Sequence, residues 1–262
     1  MKNRENFTLG LALGSGGAKG MAHVGAIKAF EEEGLDFKII SGTSIGSIVG
    51  AFYAKGYSAD DMLSLLNEID LSKIKLATEI ALGIVDIYEI IFQFLGGAYF
   101  SDLKKDFSVV AVDALKGEEV VFTEGDLSMA LASSSAVPPI KPILHDGKIL
   151  VDGAFLNYVP ADLVRYLGAD FVLSINLGKG KDTNQEIKSK LDKTLPENKI
   201  PYTNRSKKCY QYSDYVIHPN LSKFSSFSLG SLESMYEIGY ETAKREMKEI
   251  LKTIKTRKRY KS

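Results

Sequence analysis

Ser41-Gly42-Thr43-Ser44-Ile45-Gly46 decides how the chain is read. It follows the apolar run Phe37-Lys38-Ile39-Ile40 and precedes a stretch with helical spacing. It therefore reads as a strand end, a glycine-flanked serine and a helix start. Gly-x-Ser-x-Gly at such a junction is the pattern of a nucleophile elbow, a sharp turn that presents a serine hydroxyl. A side chain at Gly42 or Gly46 would crowd that turn. Alone the pattern is a weak signal, and its weight depends on its surroundings.

Upstream, Phe7-Thr8-Leu9-Gly10-Leu11-Ala12-Leu13 reads as a buried strand. It runs into Gly14-Ser15-Gly16-Gly17-Ala18-Lys19-Gly20, and Met21–Glu33 follows as a helix with Gly34 past its end. Strand, glycine loop and helix in that order let backbone N–H groups converge on an anion. Ile45–Gly56 is a second helix, with Gly46, Gly50 and Ala54 forming a small-residue stripe that suits close packing. Two strand–helix units in this span predict a parallel α/β sheet.

Downstream, Ser58–Asn67 reads as a helix, Phe107–Asp113 and Glu118–Thr123 as a hairpin, and Leu127–Ala136 as a helix capped by Asp126. Lys148–Val151 is a strand running into Asp152-Gly153-Ala154. Val159–Leu167 reads as a helix, and Phe171–Asn176 and Tyr215–His218 as strands. Leu229 to about Lys255 is one long amphipathic helix. Ile80–Phe100 is the most apolar stretch, but Asp86, Glu89 and Gly96-Gly97 make it a poor membrane span. The plainer reading is helices covering the core; the sharper is an apolar cap over an acyl site.

Composition narrows the function. Of 262 residues 45% are hydrophobic, which suits a globular core. Lys and Arg match Asp and Glu at 33 each, so no charge excess argues for nucleic acid. One cysteine, Cys209, rules out an internal disulfide framework, and three scattered histidines give little support to metal chemistry. The polar start, Met1–Thr8, has no character of a secretory signal. A cytoplasmic protein is expected, and the basic helical end after Glu249 is either solvated or in contact with an anionic inner membrane face. The expected organisation is one domain, with its core at about 7–176 and 213–256. A surface excursion at about 178–212 carries nine Lys/Arg against four Asp/Glu over 178–208.

Acyl transfer needs a nucleophile, a proton acceptor and donors for an oxyanion. Ser44 supplies the first, and the amides of Gly16, Gly17 and Ala18 would supply the third. The acceptor is open. His23 follows the glycine loop inside a helix and reads as a packing or capping residue. His145 precedes a turn. Only His218, at a strand end, has a position comparable with a triad histidine. Asp152, ending a strand before two small residues, offers a carboxylate base instead. Asp152-Gly153 also reads as a simple turn, and spacing alone leaves the two readings level.

Together these motifs resemble the patatin-like phospholipases, especially short bacterial members and the catalytic domain of neuropathy target esterase. The resemblance rests on Gly14–Gly20, on Gly42-Thr43-Ser44-Ile45-Gly46 and on Asp152-Gly153-Ala154. It extends to Ala22-His23-Val24-Gly25-Ala26 and to Ala132-Ser133-Ser134-Ser135-Ala136-Val137-Pro138. It implies a three-layer α/β/α fold with a mostly parallel central sheet and a Ser44–Asp152 dyad without a catalytic histidine. It implies hydrolysis of lipid acyl esters through an acyl-serine, with no cofactor and no calcium. Lys19 fills a position that is Arg or Lys in the family. Ser15 and Ala154 stand where glycine is commoner. The rival reading is a lipid- or phosphate-binding protein with an inert serine. Against it, Gly-x-Gly-x-x-Gly is not matched in register and no Walker Lys-Ser/Thr pair follows. Head group, chain length and oligomeric state are not set by the sequence.

Overall fold

The computed structural model describes residues 7–68, 87–138, 140–178, 206–226 and 229–261, with 192–193, 195, 197 and 199–201. Among the described residues eight strands form one sheet: β1 (Leu9–Leu13), β2 (Phe37–Thr43), β3 (Asp106–Asp113), β4 (Glu118–Phe122), β5 (Ile143–His145), β6 (Lys148–Asp152), β7 (Phe171–Ile175) and β8 (Tyr215–Ile217). Hydrogen bonding runs β5-β6-β3-β2-β1-β7-β8, with β4 also on β3. The β1–β2, β1–β7, β2–β3 and β7–β8 pairs are parallel, and β4, β5 and β6 join antiparallel. The sheet is thus mostly parallel, as expected.

Alternation along the strands creates two apolar faces. Leu11 and Leu13 of β1 and Phe171, Leu173 and Ile175 of β7 face the larger core. Ala12 and Val172 face the other side. The larger face is covered by α1 (Met21–Glu32), α2 (Ile45–Lys55), α3 (Ala59–Glu68), α4 (Ile87–Leu95), α5 (Leu127–Ser134) and α8 (Leu232–Lys261). The opposite face carries α6 (Ala161–Tyr166) and α7 (Lys207–Tyr212). Three layers result.

Most helices end where local chemistry requires. Asp126 caps α5 through the Met129 amide at 3.1 Å. Gly56 closes α2 in the left-handed region. The apolar stretch at 80–100 is not one helix. Residues 80–86 lie outside the described set, α4 covers Ile87–Leu95, and Gly96 and Gly97 (φ 67° and 69°) end it. Among the described residues no helix is long and apolar enough to cross a membrane. α8 runs to Lys261, past the expected end near Lys255, where Arg257 meets Asp214 at 3.3 Å. The expected surface excursion also differs in part. Its α7 segment packs on the sheet, with Cys209 fully buried and its thiol pushed up to about 11 by burial.

α1 is the central helix, buried along nearly its whole length, and α8 crosses it closely. A Cβ on Gly25 would lie 2.0 Å from the Tyr236 carbonyl, and one on Gly239 would lie 2.1 Å from that of Ala22. Two backbones this near leave no room for a side chain. Gly239→Val should therefore cost about 1–3 kcal/mol by overpacking. It would be read as a lower urea midpoint at unchanged m-value, and a wild-type midpoint would contradict the packing.

Candidate active site

The elbow forms as its sequence requires. Ser44 has φ 54° and ψ −127°, and among the described non-glycine residues only Asp146 shares a positive φ. Such strain costs on the order of 1–3 kcal/mol and persists only where the surroundings over-determine it. Here they do. The Ser44 amide donates to Ser134 Oγ at 2.8 Å, and the Ser44 carbonyl accepts from Ser47 Oγ at 2.6 Å and Ser47 N at 2.8 Å. A Cβ on Gly42 would stand 2.4 Å from the Gly46 carbonyl, and one on Gly46 would stand 2.2 Å from that of Leu13. Ser44 is only 8% exposed, less open than the motif suggests.

Asp152 reaches this point from the opposite direction. Residues Val109–Asp113 of β3 pair with β4 along one edge. The other edge is shared: β2 occupies it up to Thr43 opposite Val110, and β6 occupies it from Asp152 opposite Ala111. The two strands meet end to end, one register step of roughly 3.3 Å apart. The turn after Asp152 confirms the contact, since a Cβ on Gly153 would lie 2.2 Å from Val110 O and 3.1 Å from Thr43 Cγ2. Asp152 is 3% exposed, and its Oδ1 accepts the Ala154 amide at 2.8 Å. The turn reading is therefore realised, and it engages one carboxylate oxygen. Among the described residues no hydrogen bond reaches the Ser44 hydroxyl.

The glycine loop is pinned beside the elbow. Gly14 N donates to Ile175 O at 3.1 Å and Ser15 N to Tyr158 O at 3.0 Å. Gly17, at φ 59°, begins the 3-10 turn Gly17–Gly20 that carries Lys19 and leads into α1. The amides of Gly16 and Gly17 have no hydrogen-bond partner among the described residues. Ala18 departs from the expectation. Its amide donates to Ser226 O at 2.8 Å, because the left-handed turn at Gly17 aims it at that carbonyl.

The histidines lie elsewhere. His218 directly follows β8, a strand that lies three strand spacings from β2, about 14 Å. It stacks on Tyr210 at 5.9 Å, and burial draws its imidazole below the usual range. His145 pairs with Lys148, four residues along β6 from Asp152, about 13 Å away. His23 is fully buried, and burial lowers its pKa to about 4, so Nε2 carries the proton that it donates to Gly14 O at 2.7 Å. It holds the first glycine of the loop.

An apolar cavity of about 350 Å³ opens from this corner. Gly17, Ala18 and Ile45 form its near end, with Ile48, Phe52, Leu65, Ile91 and Phe94 among its walls. Ser134 was the functional neighbour hardest to foresee. Nothing in a run of three serines marks the one that takes the Ser44 amide.

Residues 11–165 match the family model for patatin-like phospholipase. The chain belongs to the patatin-like phospholipase family. The mouse patatin-like phospholipase domain-containing protein 6 is 27% identical over 279 residues, covering 90% of this chain and 20% of that protein. An uncharacterized NTE family protein of Mycobacterium tuberculosis is 34% identical over 180 residues, covering 64% of this chain and 48% of its own. The chain thus spans between a fifth and a half of the length of these relatives. The fold is similar to VipD from Legionella pneumophila, with a TM-score of 0.59 and 15% identity over 96% of this chain and 67% of that one. It is also similar to ExoU in the ExoU–SpcU complex from the type III secretion system of Pseudomonas aeruginosa. There the TM-score is 0.54 at 16% identity, over 93% of this chain and 51% of that one.

The neutral His23 has a consequence for stability. The unfolded chain takes up a proton near the ordinary 6.5 and the folded chain only near 4, so between these values the unfolded state binds more protons. The His23 contribution is complete above pH 6.5 and is lost as pH falls toward 4, by roughly 3 kcal/mol in all. Urea unfolding of His23→Gln should show a shallower pH dependence across that window than the wild type. Equal slopes would contradict a neutral buried His23.

Proposed function

We propose that the chain is a serine acyl hydrolase of lipid esters, using Ser44 as nucleophile and Asp152 as proton acceptor. The observation that carries this reading is the end-to-end meeting of the Ser44 and Asp152 strand ends on one edge of β3. Ser44 Oγ attacks the ester carbonyl as its proton passes to the Asp152 carboxylate. Oδ1 also accepts from the Ala154 amide, which orients the carboxylate. Contacts between nucleophile and base are often long before substrate binds and tighten in the complex. The tetrahedral oxyanion is held by the amides of Gly16 and Gly17, each worth on the order of 3 kcal/mol. Collapse expels the alcohol, which takes the proton from Asp152, and water then repeats the sequence on the acyl-serine to release the fatty acid.

The apolar cavity suits the acyl chain. α4 exposes Phe92 and Phe94 beside it, which favours contact with a lipid surface. Calcium has no role in this scheme.

Turnover of p-nitrophenyl esters and labelling by a fluorophosphonate probe test the dyad. Ser44→Ala should abolish both, and Asp152→Asn should lower turnover by roughly 10²–10⁴-fold. Replacing His145 or His218 with Ala should leave turnover near wild type. Full activity in Asp152→Asn, or collapse in His218→Ala, would refute the dyad. A wild-type protein that binds lipid but resists the probe would instead be a binding protein.

Chain length gives a separate check. Turnover should rise with acyl length until the cavity is filled and then level, and Ile48→Phe should move the optimum to shorter chains. An optimum indifferent to Ile48→Phe would place the acyl chain elsewhere.

A further inference from the structure

The main chain of two consecutive residues, Asn157 and Tyr158, connects all three motifs of the site. Asn157 N donates to Gly153 O at 2.9 Å, in the turn that follows Asp152. Asn157 O accepts from Thr43 Oγ1 at 2.9 Å, at the strand end that precedes Ser44. Tyr158 O accepts from Ser15 N at 3.0 Å, within the glycine loop. The relative placement of nucleophile, carboxylate and oxyanion amides therefore depends on where residue 157 sits.

Its side chain determines that position. Asn157 is fully buried, and its Nδ2 donates to Asp162 Oδ1 at 2.9 Å and to Glu119 Oε2 at 3.2 Å. Carboxylates only accept, so the amide orientation is fixed by its partners. The remaining oxygens of the same two carboxylates meet one ammonium: Lys208 Nζ lies 2.5 Å from Glu119 Oε1 and 2.9 Å from Asp162 Oδ2. Asp162 is only 4% exposed, and a carboxylate so buried needs a cation and hydrogen bonds to stay charged. Glu119 comes from β4, Asp162 from α6 and Lys208 from α7, so three elements outside the motifs converge on one amide.

We infer that Asn157 is a positioning residue for the proposed reaction. Glu119, Asp162 and Lys208 clamp its side chain so that the main chain of Asn157 and Tyr158 holds the Ser44 strand end, the Asp152 turn and the glycine loop in register. This rests on the serine-hydrolase reading. It assigns to a cluster facing away from the acyl cavity control over the rate of the chemical step rather than over substrate affinity.

The experiment measures the fluorophosphonate labelling rate, kcat, KM and the melting temperature for wild type, Thr43→Val, Thr43→Ser, Asn157→Ala, Lys208→Met and Lys208→Arg. Thr43→Val, Asn157→Ala and Lys208→Met should lower the labelling rate and kcat by roughly tenfold or more while KM changes less than about threefold, the signature of misplaced reacting groups. Thr43→Ser, which keeps the hydroxyl, should restore the rate, and Lys208→Arg should retain most of it. If Asn157→Ala does not fold, Thr43→Val and Lys208→Met decide the matter. Wild-type labelling rates in those two folded variants would overturn the positioning role, as would losses that appear in KM alone. Ser44 labelling in the wild type with unaffected variants removes this inference only. A wild type that resists the probe, or a Ser44→Ala protein that is still labelled, removes the hydrolase reading and this inference with it.

Discussion

The site depends on two strands sharing one edge of β3. A strand edge offers a fixed row of backbone donors and acceptors, and a second strand can use that edge only where the first has left it. β2 leaves at Thr43 and β6 arrives at Asp152, so the elbow and the carboxylate are brought together by hydrogen-bond register rather than by side-chain fit. This explains why the antiparallel β5–β6 hairpin belongs in an otherwise parallel sheet. Only a strand running against β2 can deliver its last residue to the place where β2 ends.

Around that junction main-chain atoms set most of the geometry. The elbow is closed by carbonyls against Gly42 and Gly46, and the glycine loop hangs from the carbonyls of Ile175 and Tyr158. Side chains act mainly by holding the main chain, as Ser134 does at Ser44 and His23 at Gly14. Backbone groups have few conformational options once their partners are set, so the arrangement is stiff without depending on many side-chain rotamers.

Much of this was readable from the chain. The strand-loop-helix order, the elbow and the long amphipathic α8 follow from apolar periodicity and from glycine placement, which are local properties. What escaped reading was set by distant partners. β5 is three residues long, too short for alternation to show, and exists because β6 pairs with it. The charged stretch before α7 suggested a surface excursion, yet Cys209 is buried in the apolar cluster that holds Val164 of α6 and Val172 of β7. The Ala18 amide looked like an oxyanion donor until Ser226, more than two hundred positions away in sequence, took it. Whether Asp152 made a turn or faced the serine could not be separated by spacing, because the turn and the strand-edge contact coexist in one residue.

The close crossing of α1 and α8 divides the cavity mechanically. α1 carries the glycine loop at its first turn, and α8 begins at Leu232 in the cavity wall. Locked backbone to backbone at Gly25 and Gly239, the two helices behave as one girder, so the wall beside the glycine loop is stiff. The opposite wall is α4, which ends at two glycines and exposes its phenylalanines. Stiffness is thus concentrated on the side of the glycine loop and the elbow, while the side of α4 is bounded by exposed aromatic rings and a glycine-ended helix.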